Sequence, residues 1–140
     1  MNEDSFTPEH PLSATSYKAD LRDIKFVLFE QMRAHEQLAS VARYKDFDRD
    51  MYEAVLDMGR DLAEQVLGPV NKVGDREGVK LDSEGNVTTP ACFKDAYRAL
   101  AESGLIGASL PPEFGGQGLP HVVDIATHEM TSGAAMAFNM

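Results

Sequence analysis

Apolar positions along this chain recur mostly at spacings of three and four, the period of one helix face. In "YKADLRDIKFVLFEQM", 17–32, Leu21, Ile24, Leu28 and Met32 keep that spacing, and Phe26, Val27 and Phe29 widen the apolar surface. Phe26 and Phe29 are three apart and are expected side by side. The segment predicts a short helix that cannot be stable alone in water and has to dock. Packing on the next helix is the simple reading; docking on another domain or subunit is the sharper one. A second stripe, Met51, Val55, Met58, Leu62 and Val66, predicts a long amphipathic helix over 47–70. Asp48 or Asp50 is placed to cap its start, and Gly68-Pro69 is expected to end it. Its methionines read as adaptable core filler.

The pattern then changes. Residues 71–90 carry turn chemistry, and "VKL" and "VTT" around "DSEGN" predict a small hairpin. Pro90 ends it, and Thr88 or Thr89 is placed to cap a helix over 91–103. Phe93, Ala96, Tyr97 and Leu100 would form its inner face, with Gly104 at the stop position. Residues 105–110 suggest a short extended stretch inside a loop. From about Pro120 a helical period returns through Val122, Ile125, Ala126 and Met130, and Gly133 is expected to break or kink it. The fold class is all-α, with one small β-hairpin. The expected organisation is a disordered or loosely attached N-terminus over 1–16, a docking helix and linker over 17–46, and a helical domain over 47–140. That domain is expected to be truncated at its C-terminal end, because "SGAAMAFNM" stops inside an apolar helical piece.

Charge narrows the partners. Among 140 residues, 23 acids face 13 bases, for a formal net charge of −10. That argues against nucleic acid and against electrostatic docking on an anionic membrane. No apolar run reaches the length of a membrane span, and "MNEDSFTPEHPLSATS" is not a secretory signal. The single cysteine, Cys92, rules out an internal disulfide. A free thiol without an export signal points to the cytoplasm. Cys92 opens a helical pattern, where a thiol pKa can fall; burial as an inert residue is the simpler reading.

No complete active site emerges from the residues. "GGQGLP" matches neither phosphate-loop pattern, and its glycines read as backbone that bends sharply or approaches a partner closely. His121, Asp124 and His128 share one helix face, which permits a metal site geometrically. "HEMTS" lacks the second histidine of a zinc-protease motif, and a hydrogen-bonded Asp–His pair is the plainer reading. No nucleophile triad is recognisable, and no carboxylate stands out as a base in an apolar setting. No metal site is assigned.

The order of elements carries a resemblance. "GNVTTPACFKDAYRALAESGLIGASLPPEFGGQGLP", followed by a helix with "HEM", resembles the N-terminal region of the flavin-dependent acyl-CoA dehydrogenases. The matching positions are Leu100, Glu102, Gly104, Leu105 and Gly107, then Pro112, Glu113, Gly115, Gly116 and Gly118. The upstream helix is similar to the extra N-terminal helix of a large-chain branch, which includes enzymes similar to 3-methylmercaptopropionyl-CoA dehydrogenase. The resemblance implies that the Pro-Gly corner joins two helices near the middle β-domain and the FAD.

It also implies what this stretch does not carry. The family's catalytic glutamate lies in a C-terminal helical domain, and most flavin contacts come from there and from the β-domain. No catalytic residue is therefore assigned, Glu113 and Glu129 are not promoted to that role, and cofactor-binding residues are left unassigned. The implied reaction is α,β-oxidation of an acyl-CoA thioester with hydride passing to FAD, in a complete enzyme expected to be a homo-oligomer. FAD is not expected to bind tightly to this chain alone. A split dehydrogenase, with a second chain supplying the missing domains, and a non-enzymatic helical interaction module are the alternatives.

Overall fold

The computed structural model describes residues 17–140; the expectation for 1–16 lies outside the described residues. Helix α1, Leu21–Lys25, starts on Asp20, whose side chain accepts from the Arg22 and Asp23 amides. It runs directly into a π-helical turn, Phe26–Gln31, closed by the Met32 amide donating to the Val27 carbonyl at 2.9 Å. The widened turn splits the expected aromatic pair. Leu28 and Phe29 are buried, while Phe26, Val27 and Met32 face outward. Arg33 then takes a left-handed φ of 49° and separates α1 from a short helix α2, Ala34–Ala39, within the stretch read as linker.

Helix α3, Arg49–Leu62, starts on Asp48, which accepts from the Met51 amide at 2.8 Å. The expected end at Gly68-Pro69 is wrong: a π-helical turn, Ala63–Leu67, leads without a break into α4, Gly68–Glu77. A proline inside a regular helix removes a donor and drives its ring against a carbonyl one turn back. Here the Gly68 amide bonds five residues back to Ala63, so the backbone is already widened where Pro69 enters. The buried stripe also differs from the expected one. It runs through Tyr52, Leu56, Gly59, Leu62, Ala63, Leu67 and Val70, and Met51 is exposed. Leu62 is common to both, and Val55, Met58 and Val66 of the expected stripe pack half-buried against the core, so the apolar face of α3 and the π-turn is wider than the spacing predicts.

The hairpin forms where expected. Strands β1, Lys80–Leu81, and β2, Val87–Thr88, are antiparallel, with Lys80 opposite Thr88 and Leu81 opposite Val87. Asp82 organises the turn by accepting from the amides of Glu84 and Asn86, both at 2.8 Å. Helix α5, Cys92–Glu102, is not capped by Thr88 or Thr89; the Phe93 amide bonds the Pro90 carbonyl instead. Its inner face is narrower than expected, with Ala96 buried and Tyr97 exposed. Gly104 follows with φ 74°. Residues 105–110 form consecutive turns and no strand. Helix α6, His121–Ala134, keeps Gly133 helical, and the break comes at Ala135 (φ −154°, ψ 77°), before α7, Met136–Asn139. Gly133 serves contact rather than kinking: a Cβ there would lie 2.8 Å from the Tyr17 hydroxyl.

The closest packing joins α3 to α6. A Cβ at Gly59 would sit 3.1 Å from Met130 Cε and from Thr127 Cγ2, so the two helices meet backbone against side chain. Leu56, Ala63, Val123, Met130 and Ala134 surround that contact, with Leu28 and Phe29 on the α1 side. Ion pairs from Lys25 to Glu53 (3.1 Å) and Asp57 (3.4 Å) fasten α1 along α3. Glu64 ties the N-terminal arm to the second π-turn through Lys18 (2.6 Å) and the Ala19 amide (3.0 Å). No helix among the described residues is long and apolar enough to cross a membrane.

Two measurements check this account. Leu56→Ala is expected to cost about 2–5 kcal/mol in urea unfolding. Met51→Ala, on the stripe read from spacing, is expected to cost about 0.5 kcal/mol or less. Separately, the Lys18 ammonium and then the Ala19 amide hold the Glu64 carboxyl below its ordinary range. The stability this adds is present above the ordinary glutamate pKa of about 4.3. It is lost as pH falls through the lowered folded value. The gap in urea midpoint between wild type and Glu64→Gln should hold constant from neutral pH to about pH 5 and narrow below about pH 4.

Candidate functional site

The Pro-Gly corner, 105–119, satisfies its own backbone. The Ala108 carbonyl accepts from the amides of Gln117 (3.1 Å) and Leu119 (3.0 Å), and the Leu110 carbonyl accepts from Gly118 (2.9 Å). Pro112–Phe114 form one 3-10 turn at the tip. Gly116 has to be glycine, because a Cβ there would lie 2.0 Å from the Leu110 carbonyl oxygen. The base of the corner is buried through Leu105, Ala108 and Leu119. Its rim leaves Ile106, Leu110 and Phe114 exposed, Phe114 at 74%.

Polar side chains fix the corner to its neighbours. Gln117 Nε2 donates to the Gly104 carbonyl at 2.8 Å, and Arg43 donates to the Ser109 carbonyl at 3.2 Å. Ser109 Oγ donates to Asp124 Oδ2 at 2.7 Å. Asp124 is only 5% exposed, in the first turn of α6, where a negative charge complements the helix dipole. Its Oδ1 has no hydrogen-bond partner. Packing leaves the carboxylate one good donor, and that donor belongs to the corner.

The candidate metal trio is brought together but does not chelate. His121 Nδ1 and His128 Nδ1 each stand 3.5 Å from one Asp124 oxygen. His128 Nδ1 also lies 3.0 Å from the Asp124 backbone carbonyl, which draws its ring onto the helix. Among the described residues, no group of three or more ligand-type side chains could hold a metal. The Ser109–Asp124–His128 contacts are not a nucleophile triad either, since Ser109 bonds the carboxylate and not the imidazole.

The other candidates are inert or solvated. The Cys92 thiol, half-buried at the start of α5, is pushed up by burial and then by nearby Glu77. Desolvation outweighs the helix end, so the thiolate is disfavoured. Glu113 and Glu129 are exposed on the corner and on α6. Ser109 and Arg43 were missed by sequence reading. The only local signal was Asp124 itself, an acid on an apolar helix with no lysine or arginine one turn away. Around the corner the charged groups do not make a flavin site: Arg43 faces a carbonyl, and the rim is apolar. Ile106, Leu110 and Phe114 offer a flavin no charged or hydrogen-bonding side chain.

The described residues form a helical domain with a tightly hydrogen-bonded Pro-Gly corner between α5 and α6. Residues 49–140 match the family of acyl-CoA dehydrogenase N-terminal domains, and the chain belongs to that family. It is 32% identical to the 3-methylmercaptopropionyl-CoA dehydrogenase of Ruegeria pomeroyi over 89% of its own length and 21% of that protein. It is 34% identical to a butyryl-CoA dehydrogenase of Syntrophomonas wolfei over the same shares. It is 29% identical to a broad-specificity linear acyl-CoA dehydrogenase of Mycobacterium tuberculosis over 84% of its length and 19% of that protein. Similarity covering 89% of the chain extends upstream of residue 49, into the first helix. The chain spans about a fifth of the length of these relatives.

Removing the corner's latch is expected to register locally. Ser109→Ala leaves the buried Asp124 carboxylate without its donor and should cost about 1–3 kcal/mol in stability. Gly116→Ala should cost more. In hydrogen exchange followed by NMR, it should unprotect the Gly118 and Leu119 amides while those of α3 stay protected.

Proposed function

We propose that this chain is the N-terminal helical domain of a flavin-dependent acyl-CoA dehydrogenase. In this reading it works joined to a β-domain and a C-terminal helical domain, supplied on the same polypeptide or by a partner chain. The observation that carries the proposal is the corner: a buried base cross-linked by backbone hydrogen bonds beneath an exposed apolar rim, within a domain of the matching family. Such a rim is suited to being covered. In such a complete enzyme a flavin would supply the hydride acceptor for α,β-oxidation of an acyl-CoA thioester, and the residues holding it would come chiefly from the other two domains. This chain's part is positional. The Asp124–Ser109 bond holds the corner in register, the α3–α6 contact makes its base rigid, and Ile106, Leu110 and Phe114 exclude water where the next domain packs.

The substrate class proposed is an acyl-CoA thioester, and the complete enzyme is proposed to be a cytoplasmic homo-oligomer. The test is to read the source gene across codon 140 and to purify its full product. The expected result is an open frame continuing into a β-rich segment and a second helical bundle. Its product should copurify with a flavin whose absorbance bleaches on adding an acyl-CoA. A stop codon directly after Met140, with no neighbouring gene for the missing domains and no flavin, would overturn the reading.

A further inference from the structure

Among the described residues, the corner is not the only exposed apolar surface. A groove of about 300 Å³ runs between the first π-turn and α6. Its walls are Val27 and Met32 on one side and Val122 and Ile125 on the other. Val27 is 42% exposed, Met32 45% and Ile125 54%. The π-turn creates this face: the bond from the Met32 amide to the Val27 carbonyl widens the backbone, and Val27 and Met32 are exposed while Leu28 and Phe29 go to the core.

Two carboxylates, Asp23 and Glu129, line the same groove. The acids on the neighbouring faces are neutralised: Glu53 and Asp57 pair with Lys25, and Glu30 pairs with Arg49 at 3.4 Å. Asp23 and Glu129 form no ion pair among the described residues. An apolar floor with unneutralised carboxylates at its edge complements an apolar helix face flanked by cations. A second copy of this chain fits poorly, because its net charge of −10 brings acid against acid. An anionic membrane is disfavoured on the same ground.

We propose that the groove between the first π-turn and α6 is a docking site for an amphipathic helix whose apolar face is bordered by lysine or arginine. The proposal does not depend on the dehydrogenase reading, and its test uses the full product of the source gene.

The probe is a synthetic amphipathic helix of leucine, alanine and lysine. The control peptide has the same apolar face with every lysine replaced by glutamate. Binding is read by isothermal titration calorimetry, with circular dichroism confirming that each variant is folded. The lysine peptide should bind and the glutamate peptide should not. Val27→Ser with Ile125→Ser should weaken binding about tenfold. Asp23→Asn with Glu129→Gln should weaken it and flatten its salt dependence, whereas Glu84→Gln with Glu102→Gln, which removes the same charge away from the groove, should not. Phe114→Ser on the corner should leave binding unchanged. Equal binding of both peptides, or loss of binding with the distant charge pair but not with Val27 and Ile125, would overturn the proposal. So would binding to phosphatidylglycerol vesicles in place of the lysine peptide.

Discussion

The contact on which the rest depends is the crossing of α3 and α6 at Gly59. A Cβ there would press on Met130 and Thr127 at 3.1 Å, so the helices approach closely where position 59 carries no side chain. Leu56, Ala63, Val123 and Met130 are sealed around it. Burying one such aliphatic side chain is worth about 1.5–3 kcal/mol. A few of them outweigh the weakening of the helix by glycine, which is about 1 kcal/mol. Asp124 lies in the first turn of the same α6 and accepts from Ser109 of the corner. The path from core to corner is therefore short and made of direct contacts.

The corner uses its unusual composition to close on itself. Prolines give up amide donors and fix φ; glycine at 116 allows two backbone strands to come within hydrogen-bond reach. The result is a turn in which the Gly107, Ala108, Leu110, Pro111 and Pro112 carbonyls are answered from inside, while Arg43 answers the Ser109 carbonyl from outside. What remains outward is apolar side chain. A loop that looks costly in chain entropy thus supplies a fixed surface, and membership of the acyl-CoA dehydrogenase N-terminal family gives that surface a natural place against further domains.

Features written locally were legible in the sequence. The Asp48 cap, the Asp82-centred hairpin and the stop at Gly104 each depend on one or two side chains acting on nearby backbone. Features set by tertiary packing were not. Spacing placed Met51 on the buried stripe, but α3 is gripped from two sides and Tyr52 is the residue fully enclosed. Gly133 read as a break, yet it is an ordinary helical position that admits Tyr17. The cap expected from Thr88 or Thr89 failed because the turn at Pro90 and Ala91 already presents a carbonyl to Phe93. Within the candidate site, the Asp124 helix face could be read from spacing, but the Ser109 bond across the corner could not.

The two π-turns explain two further departures, the split of the Phe26–Phe29 pair and the rod that continues through Gly68-Pro69, and they have a common logic. Pattern reading assumes a constant rotation per residue, and one extra residue in a turn resets the phase of everything after it. At Ala63–Leu67 the reset lets a single rod pass through Gly68-Pro69, so that α3 serves α6 and α4 serves α5 and α7. At Phe26–Gln31 it divides one apolar run between two directions, Leu28 and Phe29 to the core and Val27 and Met32 to the surface. Four consecutive apolar residues at 26–29 go most of the way round even a regular helix, and the wider turn sets which of them face α6. Asp23 and Glu129, which form no ion pair among the described residues, give the resulting apolar wall a charge preference.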